Sequence, residues 1–154
     1  MLTMNRFLAI ALLATCEFLA LPVFPAAAVL PSPFAHQVSP DAGSREVFNR
    51  VQDGLTSGDV GAFSRYFSSQ VMVTLKGAES GYYSANQAYY LLTNYIRTRQ
   101  FARFVFTTVG GSEGNPYATG SVTFNFRGKR ETAQVYVSLA QTGGRWLITQ
   151  INIY

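Results

Sequence analysis

GYYSANQAYYLLTNYI, residues 81–96, decides how the rest of the chain is read. Ser84 followed by Gln87 is a capping box. The serine side chain accepts from the backbone three residues on, and the glutamine reaches back to the serine backbone. The spacing predicts a helix from Ala85 to about Thr98. At 100° per residue, Ala85, Ala88, Leu92 and Ile96 share one arc with Tyr89, Leu91 and Tyr95. Tyr90 falls opposite, beside Asn86, Asn94 and Arg97. The tyrosines therefore divide: Tyr89 and Tyr95 face a core, Tyr90 faces solvent, and Tyr83 stands just before the cap.

Upstream, SREVFNRVQDGLTSGD opens with Ser44 as the expected N-cap. Val47, Val51 and Leu55, with Phe48 beside them, form the apolar stripe of a helix. Glu46 and Arg50 make an i, i+4 pair on its wet side, and Gly58 stops it. Asp59 is expected to cap a shorter helix, VGAFSRYF, with Val60, Phe63 and Phe67 inward. QVMVTLK alternates as a strand, with Val71, Val73 and Leu75 on one side. GAESGYY is read as a turn.

Downstream, four strands are expected. FARFVFTTV is apolar and β-branched. YATGSVTFNF places Ala118, Gly120, Val122, Phe124 and Phe126 on one face. ETAQVYVSLA does the same with Ala133, Val135, Val137 and Leu139. The turns are GGSEGNP, RGKR and TGG. In RWLITQINIY the apolar phase slips between Ile148 and Ile151, so one extra residue near Thr149, a β-bulge, is expected. Helices followed by an antiparallel meander give an α+β fold, with the helices on one face of a curved sheet.

A chain of 154 residues suggests one domain at residues 44–154, preceded by two other segments. MLTMNR, the apolar run FLAIALLATCEFLALPVF and the small-residue site PAAAV read as a signal peptide over residues 1–28, directing export to the periplasm or beyond. Glu17 inside the run keeps a membrane anchor open, and Cys16 keeps a lipidated N-terminus open. The membrane is expected to matter only through this segment. Residues 29–43, VLPSPFAHQVSPDAG, are a proline-rich linker.

Several pieces carry a resemblance: LTSGDVGAFSRYFSSQVMVTL, GYYSANQAYYLLTNYI, GSEGNPYATGSVTFNFRGK and GGRWLITQINIY. In order and spacing the chain resembles the family called domain of unknown function 4783, within the nuclear transport factor 2-like fold. The resemblance implies a cone-shaped α+β roll in a small secreted protein. It implies no activity and no catalytic residues. The wider fold hosts isomerases, binders and dimerisation modules alike.

The chemistry available is narrow. Cys16 and His36 are the only cysteine and histidine, so Cys–His and Ser–His nucleophiles and a zinc cluster are excluded. No cofactor-binding glycine loop is present, and neither a metal nor a cofactor is expected. The net charge of +4 is scattered, without the dense stripe a nucleic-acid surface needs. No carboxylate falls on a core-facing strand position, where an apolar pocket would raise its pKa.

Two readings of the tyrosines stay open. They are the wall of a core, or Tyr66, Tyr89, Tyr95 and Trp146 line a cavity at the open end of the roll. The expected function is non-catalytic binding of a small apolar ligand or a protein partner. The alternatives are a small cavity enzyme using a carboxylate and Tyr hydroxyls, and a structural homodimer. The dimer would use the uncharged outward sheet face of Thr119, Ser121, Thr123, Gln134, Tyr136 and Ser138.

Overall fold

The computed structural model describes residues 41–154. The signal segment expected at 1–28, with Cys16, and most of the linker expected at 29–43 lie outside the described residues. The first helix, α1 (Ala42–Ser57), starts earlier than the sequence suggested. Its N-cap is Asp41, whose Oδ1 accepts from the Ser44 backbone N–H at 2.7 Å. Ser44 is a buried first-turn residue, and its hydroxyl donates to the Asp41 carbonyl at 3.1 Å. Both residue types cap well. Aspartate takes the role here because its second oxygen accepts from the Trp146 indole at 3.0 Å, a contact no local pattern reveals. Val47, Phe48, Val51 and Leu55 are buried as their spacing requires. Glu46 and Arg50 meet at 3.9 Å on the exposed side, a pair worth about 0.3–0.5 kcal/mol. Gly58 ends α1 at φ 76, where glycine has no steric penalty.

The second helix is a single turn, α2 (Gly61–Ser64). Asp59 Oδ1 accepts from the Gly61 N–H at 2.8 Å. Phe67, expected on this helix, begins strand β1 (Phe67–Leu75). A helix this short is weak alone, and the neighbouring strand takes its backbone: the Ile148 N–H donates to the Tyr66 carbonyl at 2.6 Å. Residues 81–83, read as part of a turn, belong to β2 (Ser80–Ser84), which pairs antiparallel with β1. β2 is an edge strand that alternates between exposed and half-buried tyrosines and glycine, so it lacks the apolar alternation that marks a strand.

Helix α3 (Ala85–Thr98) carries both arms of the capping box. Ala88, Leu92, Tyr95 and Ile96 are buried. The expected strand over residues 101–109 is broken into β3 (Gln100–Phe101) and β4 (Val105–Ser112). Thr56 of α1 explains the break. Its Oγ1 lies 3.3 Å from both the Phe104 N–H and the Phe104 carbonyl, taking the place of a sheet partner. The meander closes with β5 (Asn115–Phe126), β6 (Lys129–Thr142) and β7 (Arg145–Ile153). Arg127 and Gly128 both have positive φ, 50° and 76°, as the tight β5–β6 turn demands.

The strands form one curled sheet in the order β2-β1-β7-β6-β5-β3, with β4 also on β5. The sheet is mixed, which corrects the expectation of a wholly antiparallel one: β1 and β7 run parallel. All other pairs are antiparallel. A hairpin forces neighbouring strands antiparallel, but α3 separates β1 from the meander and frees its direction. Between β6 and β7 the register steps from Ser138↔Gln150 to Leu139↔Ile148. Thr149 is therefore the extra residue, at the bulge the sequence phase required. The bulge keeps Trp146, Ile148, Ile151 and Ile153 all buried. These pack with Val71, Val73, Val122, Val135, Val137 and Leu139 in one core with the apolar sides of α1 and α3. Each such side chain contributes about 1.5–3 kcal/mol on burial.

Candidate functional site

The four aromatic residues singled out from sequence take four different environments. Tyr95 lies in the core at 3 % exposure. Its hydroxyl donates to the Lys76 carbonyl at 3.3 Å, which meets the need of a buried phenol for a partner. Burial pushes its pKa up, partly countered by the nearby Arg99 charge. Trp146 is 8 % exposed and lies against the first turn of α1. A Cβ at Gly43 would stand 2.9 Å from Trp146 Cδ1, so only glycine admits the indole that closely. The Asp41 carboxyl is held below the ordinary value chiefly by the Ser44 backbone N–H, with Trp146 adding to it. Tyr66 is half-buried, and its hydroxyl donates to Glu46 at 3.4 Å. Tyr89 alone of the four lines an outer cleft of α3, about 420 Å³, with Arg65, Ala85, Asn86 and Tyr90.

That cleft adjoins another of about 470 Å³, lined by Glu79, Tyr83, Gln87, Tyr90, Leu91 and Asn94. Tyr90 is shared by both and is 70 % exposed. It packs edge-on to Tyr89, with ring centroids 5.2 Å apart. Tyr83 donates to Glu79 at 3.3 Å, and its own pKa is raised by desolvation and then by that carboxylate. Tyr82 projects from β2 at 74 % exposure. The capping box fixes where α3 starts, and so sets Tyr89 and Tyr90 relative to the β2 tyrosines. The arrangement offers flat apolar faces with hydroxyls at their edges. It offers no activated nucleophile.

At the other end of α3, Arg99 is buried against Tyr95 and Phe126. The sequence reading passed over it, although Arg99 follows Tyr95 at i+4 and so lies on the same side of the helix. The missing half of the signal was Phe126, distant in sequence.

Among the described residues every carboxylate reaches solvent at least in part. No group of three or more His, Cys, Asp or Glu among them could hold a metal. None of their helices is long and apolar enough to cross a membrane. On the outward sheet face Tyr117 stacks on Tyr136 at 5.5 Å, and Gln134 Nε2 donates to Ser121 Oγ at 2.7 Å.

No curated protein matches the chain. Among solved structures it is similar to a DUF4783 family protein from Bacteroides uniformis. The identity is 13 % and the TM-score 0.61, covering 68 % of this chain and 93 % of that one. A DUF4783 family protein from Bacteroides ovatus gives 17 % identity and a TM-score of 0.60, covering 68 % and 90 %. An NTF-2 like protein of unknown function from Shewanella oneidensis gives 13 % and 0.53, covering 72 % and 95 %. At these identities the likeness establishes the fold: an α+β, nuclear transport factor 2-like roll. The model of one family, described as domain of unknown function (DUF4783), matches residues 48–154, and the chain belongs to that family.

Proposed function

We propose that this is an exported, non-catalytic binding domain that holds a protein partner on the tyrosines at the N-terminal end of α3. One observation carries the reading: Tyr90 stands 70 % exposed and is shared by two adjoining clefts, whose walls also hold Tyr83 and Tyr89. Tyrosine is a residue type that anchors protein interfaces, because it gives a large rigid contact at low entropy cost. The solvated carboxylates support a role without acid–base chemistry, since none has the dry surroundings that tune a catalytic acid. Export rests on the MLTMNR start, the apolar run and the AAA site. The exported protein should have the mass of a chain starting at Val29. A lipid on Cys16 would reject cleavage there.

The partner surface is tested by selecting a displayed peptide library on the chain. Peptides that bind the wild type should lose binding to a Tyr90→Ala variant that melts at the same temperature. Equal binding to both proteins would reject the surface. A small apolar compound that raises the melting temperature, and loses that effect in Tyr89→Ala, would replace the partner by a ligand. The uncharged outward face with its Tyr117–Tyr136 stack favours a second reading, a homodimer, which sedimentation would reveal as a doubled mass.

A further inference from the structure

We infer that the cleft at the C-terminal end of α3 receives a small monocarboxylate with a flat apolar body, and that Arg99 is its anion receptor. Arg99 is 8 % exposed, yet no carboxylate among the described residues lies within ion-pair distance of it. Its guanidinium carbon sits 3.7 Å from the Tyr95 ring centroid and 4.3 Å from that of Phe126. The ring faces offset part of the cost of burying the charge. They do little for the N–H donors. A guanidinium has five of these, and among the described residues Arg99 makes one hydrogen bond, from Nη1 to Thr98 Oγ1 at 3.3 Å. None of its other N–H groups is sealed from solvent, so they open onto the cleft, where water serves them until a better acceptor displaces it.

The space in front of Arg99 suits such an acceptor. The cleft measures about 310 Å³ and is walled by Lys76, Arg99, Phe124, Phe126, Arg127 and Glu131, at the lower end of ligand-sized pockets. Lys76 is already turned to Glu131 at 3.7 Å and to the Thr132 carbonyl at 3.1 Å. Arg127 lies 5.1 Å from the Phe126 ring. Three cations face one carboxylate, so the cleft attracts an anion. Glu131 weighs against a second negative charge, and Phe124 and Phe126 give the apolar body a wall. A planar guanidinium pairs with a carboxylate through two parallel hydrogen bonds. The site shares no lining residue with the tyrosine clefts.

Benzoate is the probe, titrated onto the full chain by calorimetry and by NMR of the aromatic signals. Benzamide is the neutral control and inorganic phosphate the alternative anion. Benzoate should saturate and shift the Tyr95 and Phe126 signals, while benzamide leaves them in place. Arg99→Lys keeps a charge but loses the forked contact, and should abolish measurable binding. Glu131→Gln should tighten benzoate about two- to fivefold, and Arg127→Ala should weaken it by a similar factor. If Arg99→Lys does not fold, these last two variants decide, and unchanged affinity in both overturns the proposal. It is also overturned if benzoate fails to saturate, if benzamide or phosphate binds as well as benzoate, or if a folded Arg99→Lys binds benzoate unchanged.

Discussion

The two ends of α3 use the same kind of side chain in opposite ways. At the N-terminal end, Tyr90 stands largely in water with Tyr89 edge-on beside it. At the C-terminal end, Tyr95 is sealed against Phe101, with ring centroids 6.4 Å apart, and against the Arg99 guanidinium. Phe101 in turn stacks on Phe124 at 5.4 Å. A tyrosine has no fixed place in a fold. Its ring gains by leaving water, but its hydroxyl must keep a partner. Tyr95 finds the Lys76 carbonyl. Where Tyr90 stands, no element covers the ring, and the hydroxyl stays with solvent. Tyr95 thus serves stability, and Tyr90 is left available for contact.

The largest test of this contrast is Tyr95→Ala. Truncating a buried aromatic should cost about 3–5 kcal/mol, read as a lower midpoint in urea unfolding. It also strips one ring from Arg99, so the loss should lie at the upper end of that range. The next effect is Ser84→Ala. Losing the capping serine should cost about 1 kcal/mol and leave the first turn of α3 open to faster amide exchange. An unchanged exchange rate there would mean that β2, and not the cap, holds the helix start.

Acid offers a third probe, at α1. The folded state lowers the Asp41 pKa, so the ionised form is the stabilising one. Its contribution is complete above the ordinary carboxylate value and is lost as pH falls through the depressed folded value. Trp146 fluorescence should change in that acid range, because its indole loses a charged acceptor. Asp41→Asn should flatten the response. The smallest effect belongs to Tyr90→Ala, expected within about 0.5 kcal/mol. A loss at Tyr90 equal to that at Tyr95 would break the contrast between the two ends.

Much of the architecture was legible before the structure. The capping box located α3 because both its partners lie three residues apart. The slipped phase between Ile148 and Ile151 located the bulge, since a period of two permits no other way to bury both pairs. The tyrosine facing followed from the same geometry. Less of the candidate sites could be read. Tyr83 looked like part of a turn, and Arg99 looked like one more scattered cation. The significance of Arg99 depends on Phe126, far along the chain.

Sequence alone determined the α+β class, the inward faces of β5, β6 and β7, the stop at Gly58 and the division of Tyr90 from Tyr95. These rest on periodicity and on contacts within a few residues, which the chain carries locally. Tertiary structure alone decided the parallel pairing of β1 with β7, the break around Phe104, Asp41 in place of Ser44 as cap, and Phe126 over Arg99. In each, a backbone group or charge is met by a partner dozens of residues away: Ile148 for Tyr66, Thr56 for Phe104, Trp146 for Asp41. Periodicity tells which side of an element turns inward, and only the folded chain supplies what it meets there.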